Sequence, residues 1–243
     1  MIHVIRPWSV LLLAGFISVA VIGQETATPS LSFSLYAWPY QQAVKPRQAT
    51  AGKIDPVRYL PELRYRDGNE TRSVNLLPGR QSKRLNFSGE SPVTLFRVLP
   101  ETNATEISAV LHLAPHNRDV LFVLYPKDVA GRSYGSFSIN RTQVAQTAGA
   151  GIIANLTREK LLVDVNGAKK QLAPQEISAF RMQRPGEDFT RFQISTETQN
   201  GWTVVHSTKR FLSKQGGTVL LLSPGSSRSS KTKPKVITLS PPR

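Results

Sequence analysis

Val120-Leu121-Phe122-Val123-Leu124-Tyr125-Pro126 and Val219-Leu220-Leu221-Leu222-Ser223-Pro224 are the two stretches on which the reading of this chain turns. Each is an unbroken apolar run that ends at a proline. A strand with one face in water alternates apolar and polar residues, so a run without alternation predicts a central strand covered on both faces. Proline closes it because it has no N–H to give to a ladder. The same turn signals stand upstream of both runs. In the first copy they are Asp67-Gly68, Leu76-Leu77-Pro78-Gly79 and Ser82; in the second, Asn166-Gly167, Leu172-Ala173-Pro174-Gln175 and Ser178. The first and last prolines are 48 residues apart in one copy and 50 in the other, with the serine four residues after the first proline in both. The spacing reads as a duplicated unit: a hairpin that needs φ > 0, a Leu-x-Pro corner, and a closing buried strand.

The rest of the chain agrees. In Leu31 to Trp38, Leu31, Phe33 and Leu35 alternate with Ser32, Ser34 and Tyr36, which predicts a half-buried strand. Turn dipeptides at Ser91-Pro92, Pro185-Gly186 and Asn200-Gly201 punctuate further short runs, the signature of a sandwich or barrel. No window of ten residues carries a 3.6-residue apolar stripe, and Arg141 to Ala150 is the place for a short helix. The expected fold is all-β, with two similar antiparallel β-sandwich units in tandem; whether they merge into one body is left open. The expected organisation is a signal peptide (1–23), an N-terminal strand and Pro-containing connector (24–57), β-unit 1 (58–130), a connector (131–149), β-unit 2 (150–224) and a basic disordered tail (225–243).

Export is read from the first residues: His3 and Arg6 precede an apolar run from Val10 to Ile22, and Gly23 stands just before Gln24. That run of 13 residues falls short of the roughly 20 a bilayer span needs, so cleavage is expected and no integral span after it. The expected location is periplasmic, cell-envelope or extracellular. The chain has no cysteine, which excludes disulfides, thiol nucleophiles and thiolate metal sites, and leaves apolar burial to hold the fold. Its formal charge is +15. Arg228, Lys231, Lys233, Lys235 and Arg243 lie in an acid-free, Ser-rich stretch too poor in apolar residues to build a core, and are the expected contact to a polyanion such as anionic lipid or acidic polysaccharide. That stretch has no interleaved aromatics, which argues against nucleic acid. Val236 to Leu239 beyond it suits a strand added to a partner sheet.

Four patterns carry candidate chemistry. Gly131-Arg132-Ser133-Tyr134-Gly135 fits a nucleophile elbow, with Asp164 and His206 following in hydrolase order, but an alternating run at Ser136 to Ile139 stands where the helix should begin. His112 and His116 have zinc-helix spacing, yet Pro115 lies between them and strand precedes them. Gly149, Gly151 and Ala154 match a degenerate dinucleotide fingerprint that opens a strand instead of a helix. Asn69, Asn86, Asn103, Asn140 and Asn155 head Asn-x-Ser/Thr triplets, which mark turns. No catalytic residue, metal or cofactor is assigned. Tyr36, Trp38, Tyr40, Tyr59 and Tyr65 gather in the first quarter, as core packing or an aromatic platform.

The series of Asx-Gly hairpin, Leu-x-Pro-Gly corner and closing apolar strand resembles the small β-sandwich modules of bacterial envelope proteins, PEGA-type modules and related tandem β-repeat secreted proteins among them. It covers roughly residues 58–126 and 151–224, and the second copy departs from it at Gln175, where the glycine should be. The resemblance implies display, adhesion or scaffolding in place of catalysis. The expected function is a non-enzymatic exported binding or scaffold protein, with an envelope protein or an anionic surface as partner. The alternatives are an exported serine hydrolase using Ser133 and a periplasmic assembly factor that works by strand addition.

Overall fold

The computed structural model describes residues 31–38, 62–114, 118–127, 132–182, 186–212, 216–224 and 234–241. The signal-peptide stretch and the connector around Pro39 to Pro56 lie outside them. In unit 1 the chain runs through β1 (Leu31–Ala37), β2 (Leu63–Asp67), β3 (Glu70–Val74), β4 (Leu85–Phe87), β5 (Val93–Val98), β6 (Thr105–Leu111), β7 (Asp119–Pro126) and β8 (Tyr134–Asn140). One helical turn, α1 (Thr142–Ala145), inside the stretch expected to hold a helix, leads to unit 2. There β9 (Ala150–Asn155), β10 (Leu161–Val165), β11 (Ala168–Leu172), β12 (Ile177–Arg181), β13 (Thr190–Thr198), β14 (Gly201–Arg210), β15 (Thr218–Ser223) and β16 (Lys235–Leu239) follow.

The strands form four sheets of four: β3-β2-β5-β6 and β4-β1-β7-β8 in unit 1, β12-β9-β15-β16 and β11-β10-β13-β14 in unit 2. Each strand of unit 2 occupies the place of the strand eight numbers before it, so the duplicated unit is present in full. The fold is all-β, two like sandwiches in tandem. Among the described residues all pairings are antiparallel except β1 with β7 and β9 with β15, which are parallel. The first strand of each unit inserts between the fourth and the seventh; it runs antiparallel to one and parallel to the other.

The two apolar runs show how the sandwiches join. On β7, Val120, Phe122 and Leu124 pack into the unit 1 core with Phe33, Leu35, Leu63 and Leu95. Leu121 and Val123 point the other way and, with Tyr36 and Ile139, meet Ile152, Ala154, Val219 and Leu221 of unit 2. On β15 the partition repeats: Leu220 and Leu222 enter the unit 2 core with Ile153, Phe192 and Ile194, while Val219 and Leu221 face unit 1. The two sheets carrying β7 and β15 are therefore inner layers, packed on each other, and the other two are outer layers. Water is excluded from both faces of the inner strands, at about 1.5–3 kcal/mol for each fully buried Val, Leu or Phe side chain, and polar residues on either parity would forfeit that.

The corners match at the level of single hydrogen bonds. In Leu77-Pro78-Gly79-Arg80, Arg80 N–H donates to Leu77 O and Gly79 N–H to Ala37 O; in Ala173-Pro174-Gln175-Glu176, Glu176 N–H donates to Ala173 O and Gln175 N–H to Asn155 O. Proline sets the first central residue and the second needs φ > 0. Gly79 has φ 76° and Gln175 has φ 63°, so unit 2 holds an ordinary residue in the left-handed region. Ser82 and Ser178 lie against the equivalent residues Leu35 and Ile153.

Three expected boundaries shift. Leu31–Ala37 is an interior strand of unit 1, bonded to β4 and β7, and does not stand apart from it. The 131–149 stretch contains β8, the strand that borders β7 in the inner sheet, because Phe137 and Ile139, two residues apart on one face, pack into the inter-unit layer. Residues 235–239 of the expected tail are β16, antiparallel to β15: Ile237 and Leu239 cover the inter-unit layer and Val236 the unit 2 core. The strand thus serves its own sheet, and residues 225–233, outside the described residues, connect two paired strands.

Candidate functional site

Equivalent positions that differ in chemistry point to the site. In the outer sheet of unit 2, β10 pairs with β13 through five residues, from Leu161↔Thr196 to Val165↔Phe192. In the outer sheet of unit 1 the matching ladder shrinks to one pair, Arg64↔Phe96. Beyond it Arg66 and Thr94, the counterparts of the paired Asp164 and Gln193, do not pair. The end of β2 is tied instead to the chain leaving β4. The Asp67 carboxylate accepts from Ser88 N–H (2.8 Å) and Ser88 Oγ–H (2.7 Å), and Tyr65 Oη–H donates to Asn86 O (3.2 Å).

A groove of about 440 Å³ opens over this seam, lined by Arg66 and Gly68, by Phe87, Glu90 and Pro92, and by Thr94, Phe96 and Ile107 among others. That volume lies in the range of small-ligand sites, about 300–1,000 Å³. A register shift after Leu95 sets Phe96 opposite Ile107 on one face of the sheet, where Phe96 is buried at 9% exposure and Ile107 is left 61% exposed. Val110 beside it is also exposed. Arg66 forms no ion pair among the described residues, and Glu90 stands on the other rim; Arg64 next to the seam is held by Glu62 at 3.5 Å. The groove offers an apolar floor, one free guanidinium, one carboxylate and the hydroxyls of Thr94 and Thr105. It suits contact with an extended segment that carries apolar side chains and a carboxylate.

Burial pushes the Asp67 carboxyl up, but the Ser88 donors and Arg72, 2.9 Å away, more than offset it and hold the group below the usual carboxylate range. In unit 2 a comparable tie comes from the turn residue Asn166, one position past Val165, the register counterpart of Asp67: its Nδ2 donates to Met182 O (3.0 Å) and its Oδ1 accepts from Arg191 N–H (2.7 Å). The same mechanical role is filled by a titratable group in one unit and a neutral amide in the other.

The inter-unit layer holds a second polar cluster. Arg141 is 1% exposed; its Nη2 donates to Asp119 Oδ1 (2.6 Å) and Ser34 Oγ (3.1 Å), and Arg84 reaches Asp119 Oδ2 at 3.1 Å. A guanidinium has donors only, so the Gln81 amide turns its oxygen to Arg141 Nη1 (3.2 Å) and its nitrogen to Ser240 O (3.2 Å). Burial pushes the Arg141 guanidinium down, against the pull of Asp119. The cluster ties the end of β16 to unit 1.

The residues singled out by sequence lie apart. Ser133 is at the β7–β8 hairpin, its carbonyl accepting from Lys127 N–H. Asp164 faces out from β10, where it accepts from Gly167 N–H (2.7 Å). His206, paired with Ile194, turns its ring inward against Phe192, its Nε2 without a hydrogen-bond partner among the described residues; burial and then Arg210 push its pKa down. Asp164 and His206 are thus on opposite faces of one sheet and Ser133 is in the other unit, so the hydrolase set is not assembled. His112 is exposed in a strand-end segment, and His116 lies outside the described residues. Among the triplet asparagines, Asn69, Asn86, Asn103 and Asn140 are exposed, whereas Asn155 is fully buried, its Nδ2 donating to Glu159, Leu172 and Ala173 carbonyls. Asn155 is a core tie and no surface turn. Tyr36 and Tyr65 are core residues, Trp38 packs on the inter-unit layer, and Tyr40 and Tyr59 lie outside the described residues. Of the basic residues, Lys235 is exposed at the start of β16; Arg228, Lys231, Lys233 and Arg243 lie outside the described residues.

Sequence reading passed over Phe96, Ile107 and Arg66. The signal was there in part: Leu95-Phe96 and Val110-Leu111 put apolar residues on both parities of strands that otherwise alternate, the mark of a bulge or a second contact face. No family model matches the chain, and no curated protein matches it. Among solved structures, a pair of C2 domains from Extended-Synaptotagmin 2 aligns over 96% of this chain and 99% of that one, at 9% identity and a TM-score of 0.25. A likeness at that score carries no argument about this chain.

Proposed function

We propose that this chain is a non-enzymatic, exported binding and scaffold protein, which takes an extended segment of an envelope protein into the groove on the outer sheet of unit 1. The observation that carries the reading is the seam between β2 and β5, open in unit 1 and closed by five residue pairs in unit 2. Apolar side chains of the partner seat on Phe96 and Ile107, and a carboxylate reaches Arg66. The stacked inner sheets supply rigidity, since each has dry cores on both faces. Support for export comes from the basic and apolar pattern of residues 1–23 and from the resemblance to envelope modules; the basic residues Arg228, Lys231, Lys233, Lys235 and Arg243 hold the protein near an anionic surface.

A photo-crosslinking side chain placed at position 107 and activated in the native envelope tests this. The expected result is one discrete adduct, lost when F96S is introduced and retained when Val204, the counterpart in unit 2, is changed to Ser. Equal crosslinking with and without F96S overturns the groove, and labelling of Ser133 by a fluorophosphonate probe overturns the non-enzymatic reading.

A further inference from the structure

The outer sheet of unit 2 closes its seam but carries a charge pattern that unit 1 lacks. Arg191 on β13 and Lys209 on β14 stand directly opposite each other in the antiparallel ladder, and both are exposed. Like charges in facing positions repel, and such pairs destabilise a sheet. Neither residue has a carboxylate within ion-pairing distance among the described residues. The Phe189 ring draws them together: Lys209 Nζ lies 5.0 Å from its centroid and Arg191 Cζ 6.0 Å. The positions corresponding to Arg191 and Lys209 in unit 1 are Pro92 and His112, which follow from the Val93↔Leu111 and Phe192↔Thr208 pairs. Two residues beyond Lys209, Phe211 is 83% exposed, the barest large apolar side chain among the described residues.

We propose that this end of the outer sheet of unit 2 is a docking face for an anionic lipid bilayer. Arg191 and Lys209 take a headgroup phosphate between them, the Arg fork meeting two of its oxygens. Phe211 enters the boundary between headgroups and acyl chains, where an aromatic ring beside cations is favourable. Charge complementarity and the bare Phe211 together favour a bilayer over a soluble polyanion, which would use the cations and leave the ring in water. The inference rests on the anionic-surface part of the proposed function and adds to it an oriented contact on the folded body.

The test is co-sedimentation of the full chain at low salt with phosphatidylglycerol–phosphatidylcholine vesicles and with pure phosphatidylcholine vesicles. Three variants are compared: R191Q/K209Q, F211S, and R228Q/K231Q/K233Q/K235Q. All the replaced side chains that the structure describes are exposed, and a thermal melt confirms that each variant folds. Wild-type chain is expected on the anionic vesicles only. R191Q/K209Q lowers partitioning on the order of 25-fold, about fivefold for each cation removed, and F211S lowers it further at unchanged charge. If R191Q/K209Q and F211S sediment like wild type while the four-site variant is lost, this proposal falls and the tethering reading stands. If wild-type chain sediments with neither vesicle, both fall. Retention on polygalacturonate with no loss in F211S assigns the cations to a soluble anion and overturns the bilayer.

Discussion

Unit 1 and unit 2 share eight strands, one strand order and corresponding hydrogen bonds at their corners, yet at matched positions they are built from different chemistry. On the layer where they meet, unit 1 places Ser34, Gln81, Asp119 and Arg141, whereas the register puts Ile152, Ile177, Gly217 and Pro241 at the same places in unit 2. On the outer sheets, Phe96 and Ile107 of unit 1 correspond to Ser195 and Val204 of unit 2. The topology requires none of these differences. A duplicated backbone tolerates either an apolar or a fully paired polar filling at one site, so what distinguishes the copies marks where one of them contacts something else: the sister unit, or a partner.

The largest expected effect comes from breaking the inter-unit cluster. R141A removes a buried guanidinium and leaves Asp119 with Arg84 alone, at about 3–5 kcal/mol in urea unfolding. D119N/R141M, which discards both charges as unit 2 does, costs less than R141A; a double variant that is worse than either single change means that the cluster stabilises beyond its pair.

Next is the contrast between Asp67 and Asn166. D67A costs about 1–3 kcal/mol because the Ser88 donors lose their acceptor. The folded-state pKa of Asp67 lies below its unfolded value, so its stabilisation is full above the ordinary carboxylate pKa and is lost as pH falls through the folded value. Unit 1 therefore weakens in acid at a tie that in unit 2 does not titrate. In D67N the acid loss shrinks, which melts taken from neutral pH downward will show; an unchanged acid limb assigns the loss to other carboxylates.

A smaller effect of opposite sign is expected at the corners. Q175G relieves a left-handed φ and stabilises by about 0.5–1 kcal/mol, the strain less the added freedom of glycine in the unfolded chain, whereas G79A destabilises. Equal behaviour of the two changes would deny the equivalence of the corners. The least change in stability belongs to the groove: I107S, at a side chain that is 61% exposed, shifts stability by no more than about 0.5 kcal/mol and abolishes co-purification of the partner from the native envelope.

Much of the fold was legible because the signals were local. Val120 to Leu124 and Val219 to Leu222 announce two-sided burial by their lack of alternation, and Pro78 and Pro174 announce corners by what proline cannot do. Little of the site was legible. Phe96 and Ile107 share a face only because the ladder slips after Leu95, and Arg191 meets Lys209 only through the register of two strands. Ser133, Asp164 and His206 illustrate the converse: their order along the chain matched a catalytic set, but strand parity put two of them on opposite faces of a sheet and chain path put the third in the other unit.

The sequence by itself determined that the chain is all-β, that it contains one unit twice, and that each unit closes with a strand dry on both sides. Periodicity, turn stereochemistry and repeat spacing are properties of neighbouring residues and need no third dimension. Only the tertiary structure decided which strands border each other, that the two dry strands face one another across a shared layer, and which seam stays open. Pairing and register bring together residues far apart in the chain, and a slip of one residue exchanges every side chain between core and surface.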